Sequence, residues 1–117
     1  MIKFYNKLVR SNVPKEIEES GNIAITTPIS GKTNDLCLAA KLIEESKEFY
    51  DAVNSGDDSK IIEELADIEE VLDTIYILSK LQYRFDREDV KSTKLTKRRV
   101  KGGLAGGIYL VAVEEKE

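Results

Sequence analysis

The sequence predicts a mainly α-helical chain built on an antiparallel helical hairpin, with a small β element from its terminal segments. Three observations lead there. Two long stretches, roughly 35–54 and 58–81, carry apolar residues at helical spacing on either side of a polar turn. That turn is Asn54 to Ser59, with Gly56 near its middle. Two short stretches, 22–30 and 108–113, are instead β-branched or continuously apolar, without a helical period.

Taken in order, residues 1–10 mix aromatic and basic side chains and read as partly extended. Ser11 or Asn12 can cap a short helix over 13–20, with Pro14 in its first turn and Gly21 as its stop. Residues 22–30, NIAITTPIS, read as a strand that Pro28 keeps at an edge or ends. Gly31 to Asn34 reads as a turn, and Thr33, Asn34 or Asp35 can cap the first long helix. The second long helix starts from Asp57, Asp58 or Ser59. Its residues Ile61, Leu65, Ile68, Leu72 and Ile75 form one stripe, while Ile62, Ala66, Tyr76 and Ile77 extend the apolar surface around it. A two-helix hairpin cannot cover both sides, so a second copy of the chain is expected, as a homodimer or homotetramer. Residues 86–100 read as a polar, basic helix, broken by Gly102 and Gly103, and IYLVAV at 108–113 is the best strand candidate. Its expected partner is the segment near 22–30 or the N-terminal one.

At 117 residues the chain is expected to be a single domain, 1–117, with a modest core. No apolar run reaches the length of a membrane span, and MIKFYNKLVR lacks the apolar core of a signal peptide, so a cytoplasmic protein without a membrane partner is expected. The net charge of −4 argues against a nucleic-acid polymer as partner. Cys37 is the lone cysteine and reads as a small core residue. The chain has no histidine. That removes Ser-His-Asp and Cys-His catalysis, HExxH zinc sites and the ExxH ligands of di-iron bundles.

What remains is carboxylate chemistry. Each long helix carries two acids three residues apart: Glu45 with Glu48, and Glu64 with Asp67. Glu48 and Glu64 both lie eight residues from Gly56, and Glu45 and Asp67 both lie eleven. In an antiparallel hairpin, equal distances from the turn mean equal heights. Around the first helix, Ala52 falls about 20° and Phe49 about 40° from Glu45, with Leu38 between. Around the second, Val71 and Ile75 flank Glu64 at about 20° and Ile68 at about 40°. The acids therefore face into apolar arcs, with Glu48 and Asp67 at the edges. Carboxylates withdrawn from water need a compensating cation. An all-carboxylate set favours a hard one, Mg2+ first and Mn2+ second. Glu44, Glu63 and Glu70 fall on the outer faces, with Glu44 near enough to act as an outer-sphere or base candidate.

A metal held by carboxylates suits a phosphate substrate, which also needs Lys or Arg donors. Lys7 and Arg10 near one end, and Lys97, Arg98, Arg99 and Lys101 near the other, are the substrate-binding candidates. Gly102 and Gly103 would let backbone N–H groups approach an anion. Tyr5, Phe49, Tyr50, Tyr83 and Phe85 are the aromatic residues that could stack on a base.

These motifs resemble a known family. Glu44-Glu45-Ser46-Lys47-Glu48, a fifteen-residue spacer, then Glu64-Leu65-Ala66-Asp67 looks like the paired EExxE and ExxD of MazG-like all-α nucleoside triphosphate pyrophosphohydrolases. The opening Tyr5-Asn6-Lys7-Leu8-Val9-Arg10, the Pro-led helix ending Ser20-Gly21, and the basic run before Gly102-Gly103 resemble the phosphoribosyl-ATP pyrophosphohydrolase-like branch. The resemblance implies an all-α NTP pyrophosphatase helical bundle that hydrolyses a nucleoside triphosphate, or a relative such as phosphoribosyl-ATP, to the monophosphate and pyrophosphate. It implies Mg2+ held by Glu45, Glu48, Glu64 and Asp67 as the catalytic centre, and assembly as dimers or tetramers. Two positions depart from the branch: Ser11 stands where an acid is usual, and Leu104 where an aromatic is usual. The rival readings are a non-catalytic helical dimerisation or regulatory module, in which the acids only solvate the hairpin, and a degenerate member that binds nucleotide but turns it over slowly.

Overall fold

Helix α1 spans Val13–Glu19, with Pro14 in its first turn, where a missing N–H costs nothing. Asn12 precedes it, but its side chain makes no capping hydrogen bond. The helix stops at Ser20 and Gly21, whose φ of 95° belongs to the left-handed region. Gly21 N–H then donates to Glu18 O and Asn22 N–H to Ile17 O, satisfying the last carbonyls. The computed structural model describes residues 1–82 and 85–116, the side chains of 79–82 excepted. Tyr83 lies outside the described residues.

Helix α2 spans Gly31–Ser55 and α3 spans Asp58–Gln82. α2 begins four residues before the expected start, so Gly31 to Asn34 is helix and not turn. Ser30 is the residue at its N-terminal boundary, and no side chain of Thr33, Asn34 or Asp35 caps it. Ser30, Thr33, Asn34 and Asp35 are all residue types that favour a helix start, so composition left several starts open.

The hairpin turn is built as the spacing requires. Gly56 sits at φ 71° and donates to the carbonyls of Ala52 and Val53 at 3.1 Å. Asp57 Oδ1 accepts from Ser59 N–H at 3.0 Å and Lys60 N–H at 3.3 Å, capping α3. A side chain at position 56 would meet no atom within 4 Å, so only the backbone conformation selects glycine. Gly56→Ala is expected to lower the unfolding free energy by about 1–2 kcal/mol, read as a lower urea midpoint at unchanged slope.

α2 and α3 are the helices that pack extensively on one another. Their seam buries Leu38, Ala52 and Val71, with Phe49, Ile68 and Ile75 half-buried beside them. These six are the residues that the helical count set around Glu45 and Glu64. Cys37, expected as a small core residue, is half-buried.

Helix α4 spans Arg87–Lys101. Asp86 and Asp89 close a capping box at 2.9 and 3.1 Å, and Arg98, Arg99 and Lys101 oppose the dipole in the last turn. It does not pack on the hairpin as α2 and α3 do. Its apolar residues Val90, Leu95 and Val100 are spaced five apart, about 140° around the helix, so they form no face to bury.

The expected β element is not present among the described residues. Residues 22–30 and 108–113 take no strand, and Ile23, Ile25, Ile108, Tyr109, Leu110 and Val111 are all exposed. A strand gains its stability from a partner's hydrogen bonds and side chains, and strand-forming composition alone supplies neither. The chain's radius of gyration is 18.9 Å, well above the ~13 Å of a compact domain this long. No helix among the described residues is long and apolar enough to cross a membrane.

Candidate metal centre

The hairpin brings the four predicted acids together. Glu45, Glu48, Glu64 and Asp67 each offer a carboxylate oxygen, and these four atoms lie within 4.8 Å of one another. Local sequence is the cause: a three-residue step keeps each pair on one helix face, and equal distance from Gly56 sets the pairs opposite each other. Glu48 is exposed and Glu64 and Asp67 are half-buried, whereas Glu45 is only 5% exposed.

The electrostatics follow from that placement. Burial pushes the Glu45 carboxyl up, and hydrogen bonding with Glu48 adds to it, while Lys41 opposes both. Burial, then Glu48, then Glu45 push Glu64 up from 4.5 to about 7. One oxygen on each, Glu45 Oε2 and Glu64 Oε2, is buried without a hydrogen-bond partner. Buried carboxylate oxygens normally have a donor. Unpartnered oxygens on two members of one cluster fit a divalent cation as the missing partner, and the all-oxygen donor set suits a hard metal.

The N-terminal segment reaches the cluster with both of its predicted cations. Arg10 Nη2 lies 2.8 Å from Asp67 Oδ1 on α3, and Lys7 Nζ lies 3.1 Å from Glu44 Oε1 on α2. Glu44 is thus half-buried and shared between lysines, rather than ordinary surface charge. Burial acts to raise its pKa, but the bonds from Lys7 and Lys41 outweigh that and hold it below the usual carboxylate value. Glu63 and Glu70 are exposed, as expected.

Lys97, Arg98, Arg99 and Lys101 are exposed on α4 and form no ion pair with the four acids among the described residues. Tyr5 is exposed under Lys3 and Lys7, whose ammonium groups stand 5.0 and 6.0 Å from the ring centre. Tyr50 and Phe85 are exposed.

Sequence reasoning missed Lys41. Its side chain is 18% exposed, and its Nζ lies 3.4 Å from Glu44 Oε2 and 3.3 Å from Glu45 Oε1. The available signal was its position, one turn before both glutamates on the same helix.

An antiparallel hairpin with two facing carboxylate pairs and nearby cations defines a class: a helical protein with a four-carboxylate cluster that could hold a metal ion. The comparison with protein families is more specific. Residues 33–101, covering most of α2 and all of α3 and α4, match the MazG nucleotide pyrophosphohydrolase domain. The chain belongs to that family, whose members are nucleotide pyrophosphohydrolases and generally depend on a divalent metal. No curated protein and no solved structure gives a significant match.

Proposed function

We propose that this chain is a Mg2+-dependent hydrolase that converts a nucleoside triphosphate, or a related nucleotide such as phosphoribosyl-ATP, to the monophosphate and pyrophosphate. Removal of non-standard nucleotides is the role that fits. The observation that carries the reading is the buried Glu45 with an orphan oxygen in a cluster that its own helices assemble.

Glu45, Glu48, Glu64 and Asp67 would hold the cation, with Mn2+ an acceptable substitute. When bound, a divalent cation supplies Lewis-acid polarisation of phosphate and acidifies water. The chain's own groups do the rest. Lys7 and Arg10 are more than a third exposed, so they can turn from Glu44 and Asp67 to phosphate oxygens at little cost. Glu44, its pKa depressed, serves better to orient lysines than to take a proton. Lys97, Arg98 and Arg99 are proposed phosphate donors that would reach a site only after assembly. The whole chain, 1–117, is proposed to work as one unit, since residues 7 and 10 tie the N-terminal segment to the hairpin.

Assembly has its own support. Ile62 and Ile77 on α3 are 67% exposed, and Ile43 and Tyr50 on α2 are exposed too. The accessible surface is 10665 Å², against about 6,400 Å² for a folded monomer of this size. An obligate interface takes about 1,000–2,500 Å² from each partner, well within that surplus. Light scattering on the purified chain is expected to give the mass of a dimer or tetramer.

The direct test incubates the chain with Mg2+ and a panel of nucleoside triphosphates and follows pyrophosphate. Release that needs the metal supports the reading. No release with any nucleotide, together with melts that ignore millimolar Mg2+, would leave the non-catalytic dimerisation module as the better account. Tight nucleotide binding with slow turnover would point to the degenerate member.

A further inference from the structure

Lys41 differs from the other cations at the site. Lys7 and Arg10 come from an irregular segment, and their side chains are 40% and 57% exposed. Lys41 stands on α2 itself and is mostly buried, with its ammonium between Glu44 Oε2 and Glu45 Oε1. Leaving would strand Glu45, the most buried charged group described in the chain. Lys41 therefore stays when the other two turn away.

Two consequences follow from that placement. The two oxygens of Glu45 are made unequal: Oε1 faces Lys41, while Oε2 is buried with no partner. The charge count also changes. With all five carboxylates ionised, as a bound cation would hold them, Glu44, Glu45, Glu48, Glu64 and Asp67 face Lys7, Arg10 and Lys41, which leaves two negative charges. One dication neutralises that remainder. A second would add two uncompensated positive charges beside a buried lysine, which is unfavourable away from bulk water. Glu70, also near Arg10, is exposed on the outer face of α3 and acts through solvent.

We propose that Lys41 is a built-in counter-ion, which fixes Glu45 as a one-oxygen ligand and limits the nucleotide-free cluster to a single dication. It is a positioning residue, acting through Glu45 and Glu44 rather than on substrate. The proposal rests on the metal reading given above and adds to it the stoichiometry and its cause.

The test is titration of the full, metal-free chain with Mn2+ in the absence of nucleotide. Free Mn2+ is followed by electron paramagnetic resonance and the heat by calorimetry. Lys41→Met leaves three negative charges, which one dication does not neutralise. One equivalent is therefore expected for the parent chain, a second and weaker one besides for Lys41→Met, and one again for Lys41→Arg, which keeps the charge. Two equivalents in the parent, or one in a folded Lys41→Met, would overturn the counter-ion role while leaving the metal site standing. No bound Mn2+ in the parent would overturn the metal reading and this proposal together. Circular dichroism checks that each variant folds. If Lys41→Met does not, Lys41→Gln keeps a donor for Glu45 without the charge, and the same second, weaker equivalent is expected of it.

Discussion

Glu64→Gln is expected to slow pyrophosphate release by about 10²–10³-fold, the effect of losing one group that stabilises charge at a reacting centre. The substitution keeps the shape of the side chain and removes its charge. An amide oxygen is a weaker ligand than a carboxylate for a hard cation. The fold should tolerate the change well. Burial and the neighbouring Glu48 and Glu45 already favour the neutral form of Glu64, holding it at about 7. The variant should therefore melt no lower than the parent in metal-free buffer at pH 8. A loss of activity with an intact melt separates a metal-binding role from a structural one. Unchanged turnover in Glu64→Gln would remove the four acids from the mechanism. The non-catalytic reading predicts no turnover in either protein.

The metal-free protein is also expected to lose stability as pH rises through the Glu64 titration. The sign follows from the shift. Glu64 takes up its proton near 4.5 when unfolded and near 7 when folded. Between those values the folded state holds a proton that the unfolded state has released, so stability falls with rising pH. The contribution is complete below 4.5 and lost above about 7. Glu45 is shifted in the same direction by burial. Protons and a dication compete for these oxygens, so Mg2+ should bind more tightly at pH 8 than at pH 6. At a hundredfold excess over its dissociation constant, Mg2+ would stabilise the fold by about 2.7 kcal/mol. Melts at pH 6, 7 and 8, with and without Mg2+, check both statements, with Glu64→Gln as the comparison. A Mg2+ shift that ignores pH and persists undiminished in Glu64→Gln would show that Mg2+ acts elsewhere.

Much of the candidate site was legible beforehand because helical geometry is local. A three-residue step keeps Glu45 with Glu48 and Glu64 with Asp67 on one face, whatever the rest of the chain does. Gly56 marks the reversal, since the left-handed turn selects glycine, and counting from it places the two pairs level. The apolar neighbours Leu38, Ala52 and Val71 were legible for the same reason. The strands at 22–30 and 108–113 were not, because a strand's stability belongs to its partner. The start of α2 was misplaced because Ser30, Thr33, Asn34 and Asp35 all suit a helix start.

Taken alone, the sequence determined the hairpin, its turn and the four acids that the turn sets level. Each of these follows from spacing along a single helix or from the conformational freedom of one glycine. Only the tertiary structure decided which cations meet those acids. Arg10 reaches Asp67 across 57 positions, and Lys7 reaches Glu44 across 37. No periodicity encodes such contacts, because they depend on where an irregular segment crosses the packed helices. Burial was decided at the same level. Glu45 and Glu48 belong to one motif, yet packing hides the first and leaves the second in water.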